Sequence, residues 1–333
     1  MNIGIVGCGS VGIKRSKSLG KNVLKAVADI EIEKAYLLAS KNTGVKAFSD
    51  YKELCKLSEI DIVIVSTTNN MLVSITLEAI RNGKHVLVEK PGAISSTDIL
   101  ILIEEQKKHN VKVKVGYNLR DHPALLKAKE IVDSTDIGNL MYVNGTYGHG
   151  GRLNYEKEWR ANTIISGGGI LIDLGVHLID LSRWFLNDEF SKINGSIHTY
   201  FWNMQVEDNA FLHLETKDHK VAFLHASCTE WKNTFSFKIT GERGKLQIDG
   251  LEKSYGTERL TYYRLRPQLG PPITTIWEYP FPDNSWEVEL REFVNSIRND
   301  IEPECNLNDA LETMKIVEQI YKINTTRGKY DNI

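Results

Sequence analysis

The chain is poor in the features that would take it out of the ordinary globular class. No apolar stretch approaches the ~20 residues needed to cross a bilayer, so no membrane partner is expected. No basic segment with an apolar core precedes the first strand-like run, so no secretory leader is expected either. Cysteine is scarce: Cys8, Cys55, Cys228 and Cys305 are scattered, without the spacings of a zinc site or a disulfide framework. That predicts a reducing, cytoplasmic setting. There is no excess of either charge, with 41 basic and 43 acidic residues and a net charge of -2. This argues against a general nucleic-acid binder. No internal repeat or low-complexity segment is evident. What remains is 333 residues, 41% hydrophobic and 25% charged, long for one core and comfortable for two domains.

Glycine is concentrated where it carries meaning. Ile3, Ile5 and Val6 read as a short buried strand, and Gly7-Cys8-Gly9-Ser10-Val11-Gly12 follows at once. This is a G-x-G-x-x-G turn with a strand before it and a helix after it. Gly7 permits the tight turn, Gly9 lets backbone approach a pyrophosphate, and Gly12 lets the helix pack against the strand. The helix amides of Ser10 and Val11 then point at the phosphates. Asp29 ends the next apolar run, Val23–Ala28. A carboxylate there accepts from both ribose hydroxyls of an adenosine and repels the extra phosphate of NADP. Ile30 follows it, not the Arg or Ser that usually holds that phosphate, so NAD is preferred over NADP. Cys8 reads as a small residue tolerated in the loop.

The first ~120 residues alternate strand and helix signals. Strands are expected at 3–6, 23–28, 45–48, 61–66, 85–88 and 111–116, with amphipathic stretches such as 74–81 and 98–109 between them. Ile62-Val63-Ile64-Val65 is purely β-branched, as in a strand buried on both faces. The fold class is α/β for this half: a doubly wound parallel sheet, a Rossmann dinucleotide-binding domain over 1–119. Beyond Tyr117 the texture changes. A helix over 124–132 precedes alternating strands at 140–147, 193–202, 210–216, 221–229, 235–240 and 246–249, then strand-like pieces at 259–266 and 273–279. Helices are expected at 168–185, 286–298 and 307–323. This predicts an α+β domain over 120–333, an open, mostly antiparallel sheet with helices on one face. The C-terminal helices are free to pack back on the first domain. The uncovered face predicts a homodimer or homotetramer through this sheet.

Several residues carry candidate chemistry. Ser66, Thr67, Thr68 and Asn69 follow the fourth strand, where carboxyl ends line the cofactor crevice. They would contact pyrophosphate or nicotinamide ribose; the alternative is a polar strand-end turn. Glu89-Lys90-Pro91 ends the fifth strand, and an ammonium at Lys90 would stabilise developing alkoxide charge; the alternative is a solvated lysine. In the second half, Asp173 and His177 stand four residues apart on one helix face, with Asp180 continuing the stripe. The remaining faces are apolar, and buried charges cost free energy unless paired. His is the natural general base near neutral pH. Asp173 would hydrogen-bond substrate, and Asp180 would orient the imidazole or hold the helix. The alternative is a solvated polar stripe. No third or fourth ligand converges with Asp173 and His177, so no metal is expected.

Together these residues resemble the glucose–fructose oxidoreductase, inositol dehydrogenase and MocA (Gfo/Idh/MocA) family. Four signatures fall in order over nearly the whole chain: GCGSVG, STTN, EKP and GGGILIDLGVHLID. The resemblance implies that Lys90, Asp173 and His177 are the catalytic residues of an NAD(P)-dependent dehydrogenase or reductase. The substrate it implies is a secondary hydroxyl or keto group of a sugar or polyol. It also implies that Trp159-Arg160 lies beside the nicotinamide end, and that Tyr117-Asn118-Leu119-Arg120 leads from the nucleotide domain to the substrate cleft. Glu89 and Asn118 join the expected cofactor contacts; Arg120, His149 and Arg152 join the expected substrate contacts. The last two sit in a glycine-rich loop, 147–152, with Lys157 and Arg160 nearby. Cations there suggest a phosphorylated or nucleotide-linked sugar; the alternative is a flexible loop with solvated charges. Against the family's T-P-N-x-x-H, this chain has Thr68 for the proline and Leu72 for the histidine, which puts the local loop shape in question. The scaffold also supports redox-neutral lyase or glycosidase chemistry, reduction of other ring compounds, and a non-catalytic cofactor-sensing regulator. The presence of Lys90 and His177 disfavours the regulator.

Overall fold

The computed structural model describes residues 1–251 and 253–327. Six strands come first: β1 (Asn2–Val6), β2 (Val23–Ala28), β3 (Lys46–Phe48), β4 (Ile62–Val65), β5 (His85–Glu89) and β6 (Val113–Gly116). Between them run α1 (Ser10–Lys17), α2 (Ile32–Ala39), α3 (Tyr51–Cys55), α4 (Asn69–Arg81) and α5 (Ser96–His109). The strands form one parallel sheet in the order β3-β2-β1-β4-β5-β6. That is the doubly wound order in which the strand order reverses between β1 and β4. β4 is buried at every residue, as its unbroken β-branched run predicts for a central strand covered on both faces.

The second part begins with α6 (Pro123–Asp133) and β7 (Leu140–Gly148), followed by α7 (Thr163–Ser166) and α8 (Val176–Leu186). Then come β8 (Phe190–His198), β9 (Asn209–Thr216), β10 (Val221–Ser227), β11 (Thr234–Gly241), β12 (Gly244–Asp249), β13 (Glu258–Arg264) and β14 (Ile273–Tyr279). These eight strands form one sheet in the order β14-β13-β12-β11-β7-β10-β9-β8. All neighbours are antiparallel except the β7–β10 pair. β11 alternates strictly between half-exposed and buried residues, the period-two pattern of a sheet with one covered face. One inward row runs Gly195, Leu212, Leu224, Gly145, Phe237, Ile248, Leu260 across seven strands. Gly145 is small because a Cβ there would stand 3.0 Å from Leu178 of α8 and 2.9 Å from Phe237. α9 (Ser285–Arg298) and α10 (Leu307–Arg327) close the described chain.

The chain divides into two compact units: Met1–Asn118 with Asn284–Met314, and Leu119–Asp283 with Lys315–Ile333. The segment carrying α9 groups with the first unit. Residues 252 and 328–333 of the expected second domain lie outside the described residues. Three expectations are corrected. The strand expected over 193–202 is β8, ending at His198, because Asp208 takes the backbone of the next residues into a loop. Its carboxylate accepts the N–H groups of Tyr200, Phe201 and Trp202. The helix expected over 168–185 opens as a π-turn at Leu171–Gly175 and becomes α-helical only from Val176. Finally, Thr163–Leu186 is long and apolar enough by composition to cross a membrane, contrary to the expectation. Its most apolar window is 78% buried inside the fold, and it carries Asp173, His177 and Asp180, as suits a core helix.

Candidate active site

In the first unit, the glycine turn is built as its spacing predicts. Gly7 has φ +95°, and a Cβ there would stand 2.4 Å from the Ser66 carbonyl oxygen. A Cβ on Gly12 would stand 1.9 Å from the Gly7 carbonyl oxygen. Gly9 differs: nothing lies within 4 Å of where its Cβ would be. The turn is therefore closed on the protein side at Gly7 and Gly12 and open at Gly9, where a pyrophosphate would approach. The amides of Ser10, Val11 and Gly12 precede the first helical bond of α1, Ile13 N–H to Gly9 O. No acidic side chain stands in that first turn to compete for them.

Asp29 is tied to this turn. One carboxylate oxygen accepts the Cys8 N–H at 2.7 Å and the other accepts the Glu31 N–H at 2.9 Å. A carboxylate offers about four acceptor sites, so two stay available for ribose hydroxyls. Ile30 beside it is fully presented to solvent and brings no cation. The residues present fit a dinucleotide. Cys8 is inert: its thiol donates to the Ala28 carbonyl, and burial pushes its pKa up to about 12.

The strand-end residues divide by role. The Ser66 hydroxyl braces the turn, donating to Gly7 O at 2.8 Å. Thr67 and Thr68 stand at the mouth of α4, with the Thr68 hydroxyl donating to Asn70 Oδ1. Thr68 has φ -68°, the value a proline ring would impose, so the loop keeps a proline-compatible shape at this position. Leu72 is fully buried in the core, where a histidine would have needed a partner. Asn69 is buried at the start of α4, and Asn118 donates to the Ser285 hydroxyl at 3.1 Å.

The Glu89 side chain is engaged within the protein. Its carboxylate receives Arg15 Nε at 2.7 Å, and Arg15 also pairs with Glu289. Arg15 lies over the Trp286 ring at 4.3 Å. Burial pushes the Glu89 carboxyl up, and Arg15 pulls it back. This triad fixes the end of β5, so the next residue, Lys90, leaves the strand at a defined point. Lys90 is half-buried and joined to Pro91 by a cis peptide. No sequence signal marked Arg15 or Glu289.

In the second unit, the π-turn carries Asp173 and α8 carries His177. A π-turn holds more residues per turn than an α-helix, which leaves the four-residue step close to a full turn and the two side chains near one face. His177 is 5% exposed, with its ring edge-on to Tyr147 at 6.0 Å between centroids. Asp173 receives Arg160 Nε at 3.2 Å, and Arg160 lies over the Trp159 ring at 4.5 Å. His149 accepts the Gly151 N–H on Nδ1 at 2.9 Å, which places the proton of the neutral ring on Nε2. Burial pushes its pKa down, while the nearby Asp173 carboxylate pulls the other way.

Two expected substrate contacts are otherwise engaged. Arg120 forms a buried two-point pair with Asp180, Nε to Oδ2 at 2.8 Å and a terminal nitrogen to Oδ1 at 2.5 Å. Asp180 therefore holds Arg120. Arg152 is gripped by Glu158, with Nε to Oε1 at 2.6 Å, because the short helical turn between them brings the two side chains round. Glu158 also stands 3.8 Å from Arg160. Among the described residues no group of three or more His, Cys, Asp or Glu is placed to hold a metal.

Comparison with known proteins places these features. Residues 1–117 match the family model described as "Oxidoreductase family, NAD-binding Rossmann fold". Residues 125–247 match that of the "GFO/IDH/MocA C-terminal domain". The chain is 32% identical over 258 residues to oxidoreductase P35 of Formosa agariphila, covering 75% of this chain and 77% of that protein. It is 30% identical over 227 residues to inositol 2-dehydrogenase 2 of Saccharopolyspora erythraea, covering 66% of this chain but only 64% of that relative's length, under two thirds. A levoglucosan dehydrogenase structure in complex with NADH and levoglucosan superposes with a TM-score of 0.87 at 21% identity, over 97% of this chain and 96% of that one; this shows the likeness of fold. With both halves matched in order and the turn, strand-end and helix signatures in place, the chain belongs to the Gfo/Idh/MocA oxidoreductase family.

Proposed function

We propose that the protein is an NAD-dependent dehydrogenase that oxidises a secondary hydroxyl of a neutral sugar or polyol, or reduces the corresponding ketone. The observation that carries this reading is the buried His177 imidazole one turn beyond the Asp173–Arg160 pair, in a chain whose other unit is an NAD-binding Rossmann fold. The names of the relatives, inositol 2-dehydrogenase and levoglucosan dehydrogenase, support the substrate class. Bound NAD supplies the hydride acceptor. The chain's own residues do the rest. His177 removes the hydroxyl proton, Lys90 stabilises the charge growing on that oxygen, and Asp173, oriented by Arg160, accepts a neighbouring substrate hydroxyl. Asp29, without a cation at position 30, supports NAD over NADP.

A neutral substrate is favoured over a phosphorylated or nucleotide-linked one. Two of the three loop cations, Arg152 and Arg160, already face Glu158 and Asp173. A homodimer or homotetramer through the second unit's sheet is part of the same reading, as is a cytoplasmic setting, supported by the burial of Cys8, Cys55, Cys228 and Cys305. The test is NADH formation with neutral and phosphorylated polyols, in the wild type and in His177→Ala. Turnover on a neutral polyol, lowered by about 10²–10⁴-fold in the variant with Kd for NAD unchanged, is expected. Near-full activity in His177→Ala removes its role as base. Substrate conversion without net NADH would instead establish redox-neutral chemistry.

A further inference from the structure

Outside the residues assigned above, one heavily engaged buried carboxylate of the second unit is Glu207, 6% exposed at the foot of β9. Its Oε1 accepts the N–H of Gly169 at 3.0 Å, the N–H of Leu171 at 3.0 Å and the hydroxyl of Tyr321 at 2.8 Å. The N–H between them, that of Ile170, donates to the backbone oxygen of the same residue at 3.0 Å. Three consecutive amides at the head of the π-turn thus end on one residue, which lies 38 positions from Gly169. The first amides of any helix lack partners within it, and here the helix head is buried away from water. A carboxylate at that end also opposes the helix dipole.

The glycine run is cut to fit this arrangement. A Cβ on Gly168 would stand 1.9 Å from the Tyr321 hydroxyl oxygen, and one on Gly169 would stand 2.1 Å from the Glu207 carbonyl oxygen. The register then passes along the turn. Asp173 N–H donates to Gly169 O at 3.1 Å, and His177 follows four residues later. We infer that Glu207 and Tyr321 are positioning residues: they set the height and rotation of the Asp173/His177 turn without touching substrate. This inference rests on the reading of Asp173 and His177 as catalytic.

Full-length Glu207→Leu, Glu207→Gln and Tyr321→Phe decide it. Four quantities are read: kcat on a neutral polyol, Kd for NAD, melting temperature, and amide hydrogen exchange of peptides covering 167–177 beside peptides from β11 and β12. Glu207→Leu is expected to lower kcat by 100-fold or more and to lose protection over 167–177 alone, with Kd for NAD within twofold of wild type. Glu207→Gln keeps an acceptor oxygen at the same place and is expected to recover kcat to within tenfold. Tyr321→Phe removes one hydroxyl and is expected to cost about tenfold in kcat without a shift in melting temperature. Should Glu207→Leu fail to fold, the Gln and Phe variants carry the test alone. The inference is overturned if kcat and protection survive in Glu207→Leu, or if well-folded Glu207→Gln is as inactive as the Leu variant. It is equally overturned if Tyr321→Phe matches wild type in both kcat and exchange. If instead His177→Ala keeps its activity, the catalytic reading fails by itself, and the exchange data still decide whether Glu207 sets the turn.

Discussion

At the residue scale, the glycines of the dinucleotide turn are not equivalent, and substitution separates them. Gly12 faces the Gly7 carbonyl so closely that an alanine methyl would fall 1.9 Å from it. The turn must open to accept it, so Gly12→Ala is expected to cost stability by about 1–3 kcal/mol or more and to weaken NAD binding as a consequence. Gly9 faces nothing within 4 Å, so Gly9→Ala is expected to leave the melting temperature unchanged. Its methyl would occupy the approach of the pyrophosphate, and Kd for NAD is expected to rise at least tenfold, about 1.4 kcal/mol. Thermal unfolding and a binding titration on both variants check the pair. Equal binding losses with equal destabilisation would mean that Gly9 serves the fold and not the ligand. The same contrast between space closed by protein and space left open distinguishes Gly168 and Gly169, which are closed by Tyr321 and Glu207.

At the element scale, Arg15 joins three elements of the first unit: its own helix α1, β5 through Glu89, and α9 through Glu289. Removing one partner of a buried ion pair costs about 3–5 kcal/mol, because the other charge stays buried and uncompensated. Arg15→Met is expected to lose about that much, read as a lowered urea midpoint with an unchanged slope. The pH dependence follows from sign. Burial already raises the Glu89 carboxyl in the folded state, and Arg15 is the group that lowers it; the variant raises it further. A carboxyl with a raised folded pKa penalises folding above its unfolded value, and the penalty disappears once both states are protonated. The electrostatic deficit of the variant against wild type is therefore expected to be largest at high pH, to shrink as pH falls through the raised folded-state values and to be gone by about pH 4.5. A deficit independent of pH would show that lost packing on Trp286 dominates. These elements also show what the sequence makes legible. The β-branched run of β4, the alternation of β11 and the apolar body of α8 each announce their burial through local period, and so do the glycine turn and the D-x-x-x-H helix. The partners do not. Glu289 meets Arg15 across 274 residues, and Glu207 reaches back across 38 to the helix head. Nothing in local period encodes either. Arg120 and Arg152 read as ligand-seeking cations for the same reason: Asp180 and Glu158 become their partners only when the chain folds.

At the scale of the whole molecule, the second unit's sheet leaves one face to be accounted for. The outward row adjacent to the buried one runs Asn194, His213, Phe223, Asn144, Lys238, Gln247, Thr261 and Ile276 across eight strands. The rings on it are ordered: His213 meets Phe223 at 4.7 Å, and Phe211 stacks on His225 at 4.3 Å with 9° between planes. Phe223 and Ile276 nevertheless remain about half exposed, at 49% and 54%, and Tyr142 is at 44%. Ordered aromatic rings on a broad sheet are a poor surface to leave in water, and a sheet of this breadth offers more than the ~800 Å² per partner that a stable interface needs. The near-zero net charge of -2 opposes association between copies only weakly. Wild-type protein is therefore expected to sediment as a dimer or tetramer at micromolar concentration. Phe223→Glu, a charge at the centre of this face with no partner, is expected to raise the dissociation constant at least 100-fold while leaving NAD binding intact, since the nucleotide turn lies in the other unit. Sedimentation velocity on the two proteins measures this. A wild type that runs as a monomer, or a variant that assembles as well as wild type, would assign this face to solvent or to another partner.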